Sequence, residues 1–227
     1  MCSTTELGEP LPCDQGKGEL RPNSGAIRSQ GKCELAEEQV LHVCARVRGY
    51  IRGQREHYLS IGEPLDSRPM ALMGLFFSPQ LLAGVKLVQL VGQRITEPSF
   101  GREIRALGFP GLLQVTHIAS MTFEDVLVFN DKITERLLFH ALVRSVQFQV
   151  LGLDRYVELF VRAFVDTRWR FSVPLEGHAF ELESKFAADR KTPFSVEDEV
   201  RMRVSQHRYE LVTTRSGHLS ENGNVEL

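Results

Sequence analysis

The chain has 227 residues, of which 42% are hydrophobic and 25% charged, and it carries a net charge of −2. Those values fit one substantial core in an ordinary globular protein and argue against a second full domain. Arginines are interleaved with carboxylates instead of forming a basic block, so nothing predicts a nucleic-acid partner.

Residues 1–33 are rich in Gly, Pro, Ser and charge and show no apolar periodicity, which predicts a disordered leader. The chain's start lacks the basic and apolar segments of a secretory signal, so a reducing, cytoplasmic setting is expected. Cys2, Cys13, Cys33 and Cys44 have no two-residue spacing between them, which argues against a zinc knuckle, a redox motif or a disulfide framework.

A single domain is expected over 34–209, opening with a helix over 34–59. There Leu41, Cys44, Val47, Ile51 and Tyr58 keep near-helical spacing. "GEPLDSRP" follows as a turn-rich connection. The stretch 70–92 is apolar for long enough to raise the question of membrane insertion, which needs about 20 uninterrupted apolar residues. Ser78-Pro79 breaks it, and Lys86, Gln89 and Gln93 interrupt its second half. It therefore reads as a buried helix, a restart with Ser78 as N-cap and Pro79 at the first helical position, and a strand over 85–91. No transmembrane segment is predicted.

"SFGREIRALGF" predicts a short helix closed by Gly108, and 116–131 one or two strands, the firmest being Val126–Phe129. Asn130-Asp131 turns the chain into a helix over 133–151 that ends at Gly152, and a second helix covers 153–165. An arginine- and aromatic-rich loop leads to a helix starting near Pro174. A last helix has Ser195 as N-cap, with acidic residues at its positive end. From about 210 the chain is polar, and a flexible C-terminal tail over 210–227 is expected. The element order is α+β, mainly helical with a small sheet.

The helix over 133–151 is apolar on nearly every side, yet His140, Arg144 and Gln147 recur at i, i+4 and i+7. A ring nitrogen at i and a second ligand at i+4 is how zinc hydrolases grip their metal, with a glutamate after the first ligand activating the bound water. Here the glutamate position holds Ala141, and the second-ligand position holds Arg144, which has no lone pair to give. By themselves these residues make half a metal site, or one histidine satisfied inside a core.

The succession "LLFH", Gln147, "LGL", "PLE", "AFELESKF" and "PFSVEDEV" resembles a group of small bacterial zincin-type metallopeptidase-like proteins over roughly 70–200. The resemblance implies a zincin-like α+β fold of the gluzincin type, in which His140 matches the first metal ligand and Glu176 the third. It also implies that the second ligand and the general base are absent. Losing a base alone costs typically ~10²–10⁴ in rate, so the resemblance points to a pseudoenzyme without a cofactor. In that reading Arg144 meets the Glu176 carboxylate, which burial would otherwise leave unpaired.

Two alternatives stay open. One is an active zinc-dependent hydrolase in which His117 or His178 completes a site with His140 and Glu176; otherwise both histidines are partly exposed, without a ligand role. His178 lies about 200° round the helix from Glu176, which hinders a shared ion. The other is a scaffold that holds a peptide by strand addition along Val126–Phe129. Other chemistry is thin: there is no "G-x-S-x-G" turn and no phosphate-binding Gly-rich loop. Glu181, Glu183, Glu197, Asp198 and Glu199 read as solvated helix faces. "DTRWRF" reads as a loop with one aromatic anchor and snorkelling arginines.

Overall fold

The structure is a computed structural model, and it describes residues 35–107, 109, 112, 115 and 118–210. The predicted leader with Cys2, Cys13 and Cys33, the helix stop at Gly108, the candidate ligand His117 and the tail beyond 210 lie outside the described residues. Seven α-helices and four short strands are found among the residues described.

The first helix, α1 (Glu37–Leu59), turns Val40, Val43, Cys44, Val47, Ile51 and Tyr58 inward. Leu41, expected on the buried face, is half exposed, and Val40 and Val43 take its place. A two-residue strand, β1 (Glu63–Pro64), precedes α2 (Ser67–Met73) and α3 (Pro79–Gly84). The Ser-Pro restart forms as the residues require: Ser78 Oγ accepts from the Leu81 amide, and Pro79 needs no amide partner at the first helical position. Strand β2 (Lys86–Gln89) follows. No helix among the described residues is long and apolar enough to cross a membrane.

After the short helix α4 (Gly101–Ala106) come β3 (Ser120–Phe123) and β4 (Val126–Phe129), joined by a two-residue turn. Glu124 occupies the left-handed region there (φ 59°), and Arg55 of α1 grips Asp125 with two bonds of 2.6 and 2.7 Å. The sheet order is β1-β2-β4-β3, with β2 and β4 parallel and the outer pairs antiparallel.

This order corrects one expectation. Val126–Phe129 is the strongest strand signal in the sequence because it is apolar at every position, and it is so because it is central. All four residues are buried, with β2 bonded on one side and β3 on the other. A strand paired on both edges has no free amides or carbonyls to offer, so no peptide can add along it.

The faces of β4 divide the core in two. Val126 and Val128 join an apolar cluster with α1, while Leu127 and Phe129 join a second cluster with α2 and α3. Both clusters meet α5 (Glu135–Thr167), which covers the two helices predicted on either side of Gly152. Thr134 Oγ1 accepts from the Leu137 amide at its start. At Gly152 the backbone leaves helical geometry (φ 73°, ψ 160°), a region open in practice to glycine alone. The arm 135–151 packs its apolar residues mainly into the second cluster, and the arm 153–167 packs into the first.

Arg168, in the left-handed region, ends α5 with its amide on Phe164 O. A 3-10 turn over Arg170–Ser172 leads to α6 (Pro174–Ala188), and α7 (Val196–Ser205) closes the described chain. Phe139 of α5 stacks on Phe186 of α6 with centroids 4.4 Å apart, and Phe76 meets Phe186 edge-on at 5.3 Å. These rings fix the first arm of α5 against α6, and the polar stripe lies along the seam.

Candidate functional site

One helical repeat of about 3.6 residues places Arg136, His140, Arg144 and Gln147 on one face of α5, and α6 answers with Glu176 and Glu183 two turns apart. Arg144 and Glu176 are both buried, with Arg144 Nη1 3.0 Å from Glu176 Oε1. The same oxygen accepts from Arg170 Nη2, also at 3.0 Å. Arg144 Nε and Nη2 donate to the Tyr156 hydroxyl at 3.2 and 3.0 Å. His140 spans the two carboxylates: its Nε2 lies 3.5 Å from Glu176 Oε2, and its Nδ1 lies 3.2 Å from Glu183 Oε2. Arg136 reaches Glu183 from the outer end, Nε donating to Oε1 at 2.9 Å.

Burial acts against the charges of His140, Arg144, Arg170 and Glu176, and the partners decide the outcome. Burial would raise the Glu176 pKa, but Arg144, Arg170 and His140 together hold it far below the usual carboxylate range. His140 is opposed by burial too, yet hydrogen bonds to Glu176 and Glu183 raise its pKa above the ordinary imidazole value. Arg170 goes the other way: burial lowers its pKa, and the share of Glu176 it receives does not make up the loss. Two guanidiniums therefore depend on one carboxylate, and the raised imidazole depends on that carboxylate and on Glu183.

Of the residues read as a degenerate metal site, His140, Arg144 and Glu176 are brought into contact. Gln147 stands one turn further on, its Nε2 donating to Leu175 O at 2.9 Å, so it joins α5 to the first turn of α6. Ala141 lies next to the stripe but faces the apolar second cluster, fully buried. His178 belongs elsewhere. It is buried, not partly exposed, and its Nδ1 meets the Tyr209 hydroxyl at 2.6 Å. Burial, helped by Arg203, pushes its pKa down to about 4.

Several charged residues expected in solvent are inside. Glu183, read as part of a solvated face, is buried between His140 and Arg136. Glu197 is buried as well, its Oε1 accepting from the Ser78 amide at 2.8 Å, which fastens α7 to the start of α3. Arg170, read as a snorkelling loop arginine, is 13% exposed and is the second cation of the cluster. The rings of its loop stay outside: Trp169 is 60% and Phe171 54% exposed. Phe171 touches Phe180, which lies over the His140 ring at 4.5 Å.

The arrangement does not fit a zinc ion. Such a site needs at least three lone pairs aimed at one point, and Arg144 supplies none. Glu176 Oε1 is taken by two guanidiniums. Glu183 sits against the ring nitrogen of His140 opposite the one facing Glu176, so the imidazole itself keeps the two carboxylates apart. Among the described residues no group of three His, Cys, Asp or Glu side chains is placed to hold a metal. What the cluster can do chemically is hold charge in a buried seam.

Comparison of the chain with family models, with curated proteins and with solved structures finds no match.

Proposed function

We propose that this chain is a metallopeptidase-like protein without peptidase activity, a pseudoenzyme in which a guanidinium–carboxylate cluster stands where a metal would be held. The observation that carries this reading is the double engagement of Glu176 Oε1 by Arg144 and Arg170, each at 3.0 Å. A carboxylate committed to two fixed cations is a poor metal ligand, because a divalent ion would have to displace both and would then meet their repulsion. Ala141 supports the same reading, since no group at its position can take a proton from water.

In this reading the cluster has a structural task. It ties the first arm of α5 to α6 and draws the 168–172 loop onto both. The active-hydrolase alternative, with His178 as a ligand, has the geometry against it, because His178 is committed to Tyr209.

Zinc content of protein purified without chelator tests the proposal. Well under one equivalent per chain is expected, with no cleavage of an unfolded protein substrate after zinc is added. The combination of Arg144→His with Arg170→Met removes both cations and supplies a lone pair at the second-ligand position. It should raise zinc binding towards one equivalent. One tightly held zinc in the unaltered protein would overturn the proposal.

A further inference from the structure

Two guanidiniums share one carboxylate here, and the surplus positive charge borders a small cavity. The cavity measures about 20 Å³ and lies between α1, β3, both arms of α5 and the 3-10 turn. Its polar lining comes from Arg144, Arg170 and Tyr156, with Tyr50 at its edge, and apolar side chains such as Val47 and Phe160 make up much of the rest. Tyr50 is occupied, its hydroxyl donating to Thr96 O at 2.8 Å. Each nitrogen of Arg144 has a partner, in Tyr156 or Glu176, but Arg170 and Tyr156 keep donors to spare. Arg170 bonds through Nη2 alone, to Glu176 and weakly to Met121 Sδ at 3.9 Å. Its Nε and Nη1 have no acceptor among the described residues. Tyr156 accepts two bonds from Arg144, which leaves its own proton free to donate.

Charge sharpens the point. Glu176 is the only carboxylate among the described residues within ion-pair distance of either guanidinium. Arg144, Arg170 and Glu176 therefore sum to one surplus positive charge, and a protonated His140 adds to it. A buried cation without a counter-charge is costly. Arg136 and Glu183, at the far side of His140, balance each other and contribute nothing net.

We propose that this cavity is a binding site for one small monovalent anion of chloride size, held by Arg144, Arg170 and the Tyr156 hydroxyl. The volume sets the class: one water needs roughly 10–15 Å³ on this measure, so the space takes a single halide-sized particle. The site does not rest on the peptidase resemblance, and zinc content says nothing about it.

Thermal unfolding at constant ionic strength, with sodium chloride replacing sodium gluconate, tests the proposal. The melting temperature should rise with chloride, growing with the logarithm of its concentration above the dissociation constant, as it does for any ligand that binds only the folded state. Bromide should do the same. Arg170→Met restores one cation to one carboxylate, so it should abolish the chloride response, whatever its own melting temperature in gluconate. Equal chloride responses from the two proteins would overturn the proposal. ³⁵Cl relaxation on the unaltered protein gives an answer even where the variant fails to fold. Excess chloride line width that bromide competes away supports the site, and no excess width refutes it.

Discussion

Glu176 and His178 stand two residues apart on α6, both deeply buried, and the helix assigns them opposite electrical fates. Glu176 faces α5 and is ionised because two arginines and an imidazole surround it. His178 faces Tyr209 and is neutral because burial, helped by Arg203, disfavours its charged form and its hydrogen-bond partner there is an uncharged hydroxyl. His140 adds the third case, a buried histidine pushed towards its charged form by two carboxylates. Burial is common to all three, so it cannot explain the difference. What decides whether a buried group carries charge is the charge of what it touches.

The comparison breaks most visibly at Glu176. Glu176→Gln strands two buried guanidiniums at once and should cost about 3–5 kcal/mol in urea unfolding. Had Arg144 been the sole partner of Glu176, Arg144→Met would be equally severe. Because Arg170 still holds the carboxylate, the loss should be nearer ~1–3 kcal/mol, the cost of an unsatisfied Tyr156 hydroxyl and a weakened pair. Equal losses from the two substitutions would mean that Arg170 does not share the charge.

Acid separates the two histidines. His178 has a folded pKa of about 4, below its unfolded value near 6.5. Between those limits the unfolded chain binds the proton and the folded chain does not, so stability falls as pH drops from 6.5 towards 4, by up to ~3 kcal/mol. His178→Gln should flatten that limb. The sign reverses for His140, whose folded pKa is raised. Its contribution is fully present below about pH 6.5 and is lost as pH rises through the folded value. His140→Gln should therefore flatten the curve on the alkaline side of 6.5. A pH–stability profile in which both variants flatten the same limb would remove the distinction.

Two smaller effects sharpen it further. Tyr209→Phe leaves His178 Nδ1 without its partner and should cost about 1–2 kcal/mol. Arg136→Met breaks an ion pair whose arginine is 56% exposed, and its effect should stay within roughly 1 kcal/mol and shrink in salt. Thermal melts at low and high salt check both.

The stripe itself was legible in the sequence, since i, i+4 and i+7 polar residues on an otherwise apolar helix can only share a face. Gly152 marked the break in α5, and Ser78-Pro79 and Ser195 marked helix starts. Part of what was missed was also within reach. Arg136 is one turn before His140, and Glu183 is seven residues after Glu176, so each extends a row already recognised. Tyr156 and Arg170 gave no such signal. Tyr156 lies beyond the kink, where helical phase no longer carries over, and Arg170 reaches the seam only because its loop folds back along α6. The order of the strands was hidden for a related reason. Four apolar residues in a row say that a strand is buried, while a pairing partner 40 residues away, β2, decides whether its second edge is free.

Arg144 and Glu176 form a buried ion pair, and the proposed function requires the two to be energetically coupled. Urea unfolding of the unaltered protein, Arg144→Met, Glu176→Gln and the double variant measures that coupling directly. A coupled pair predicts that the double variant loses less than the sum of the single losses, by about 1–3 kcal/mol, because one stranded charge disappears with its partner. Additive losses, each below roughly 0.5 kcal/mol as for solvent-facing residues, would contradict the account.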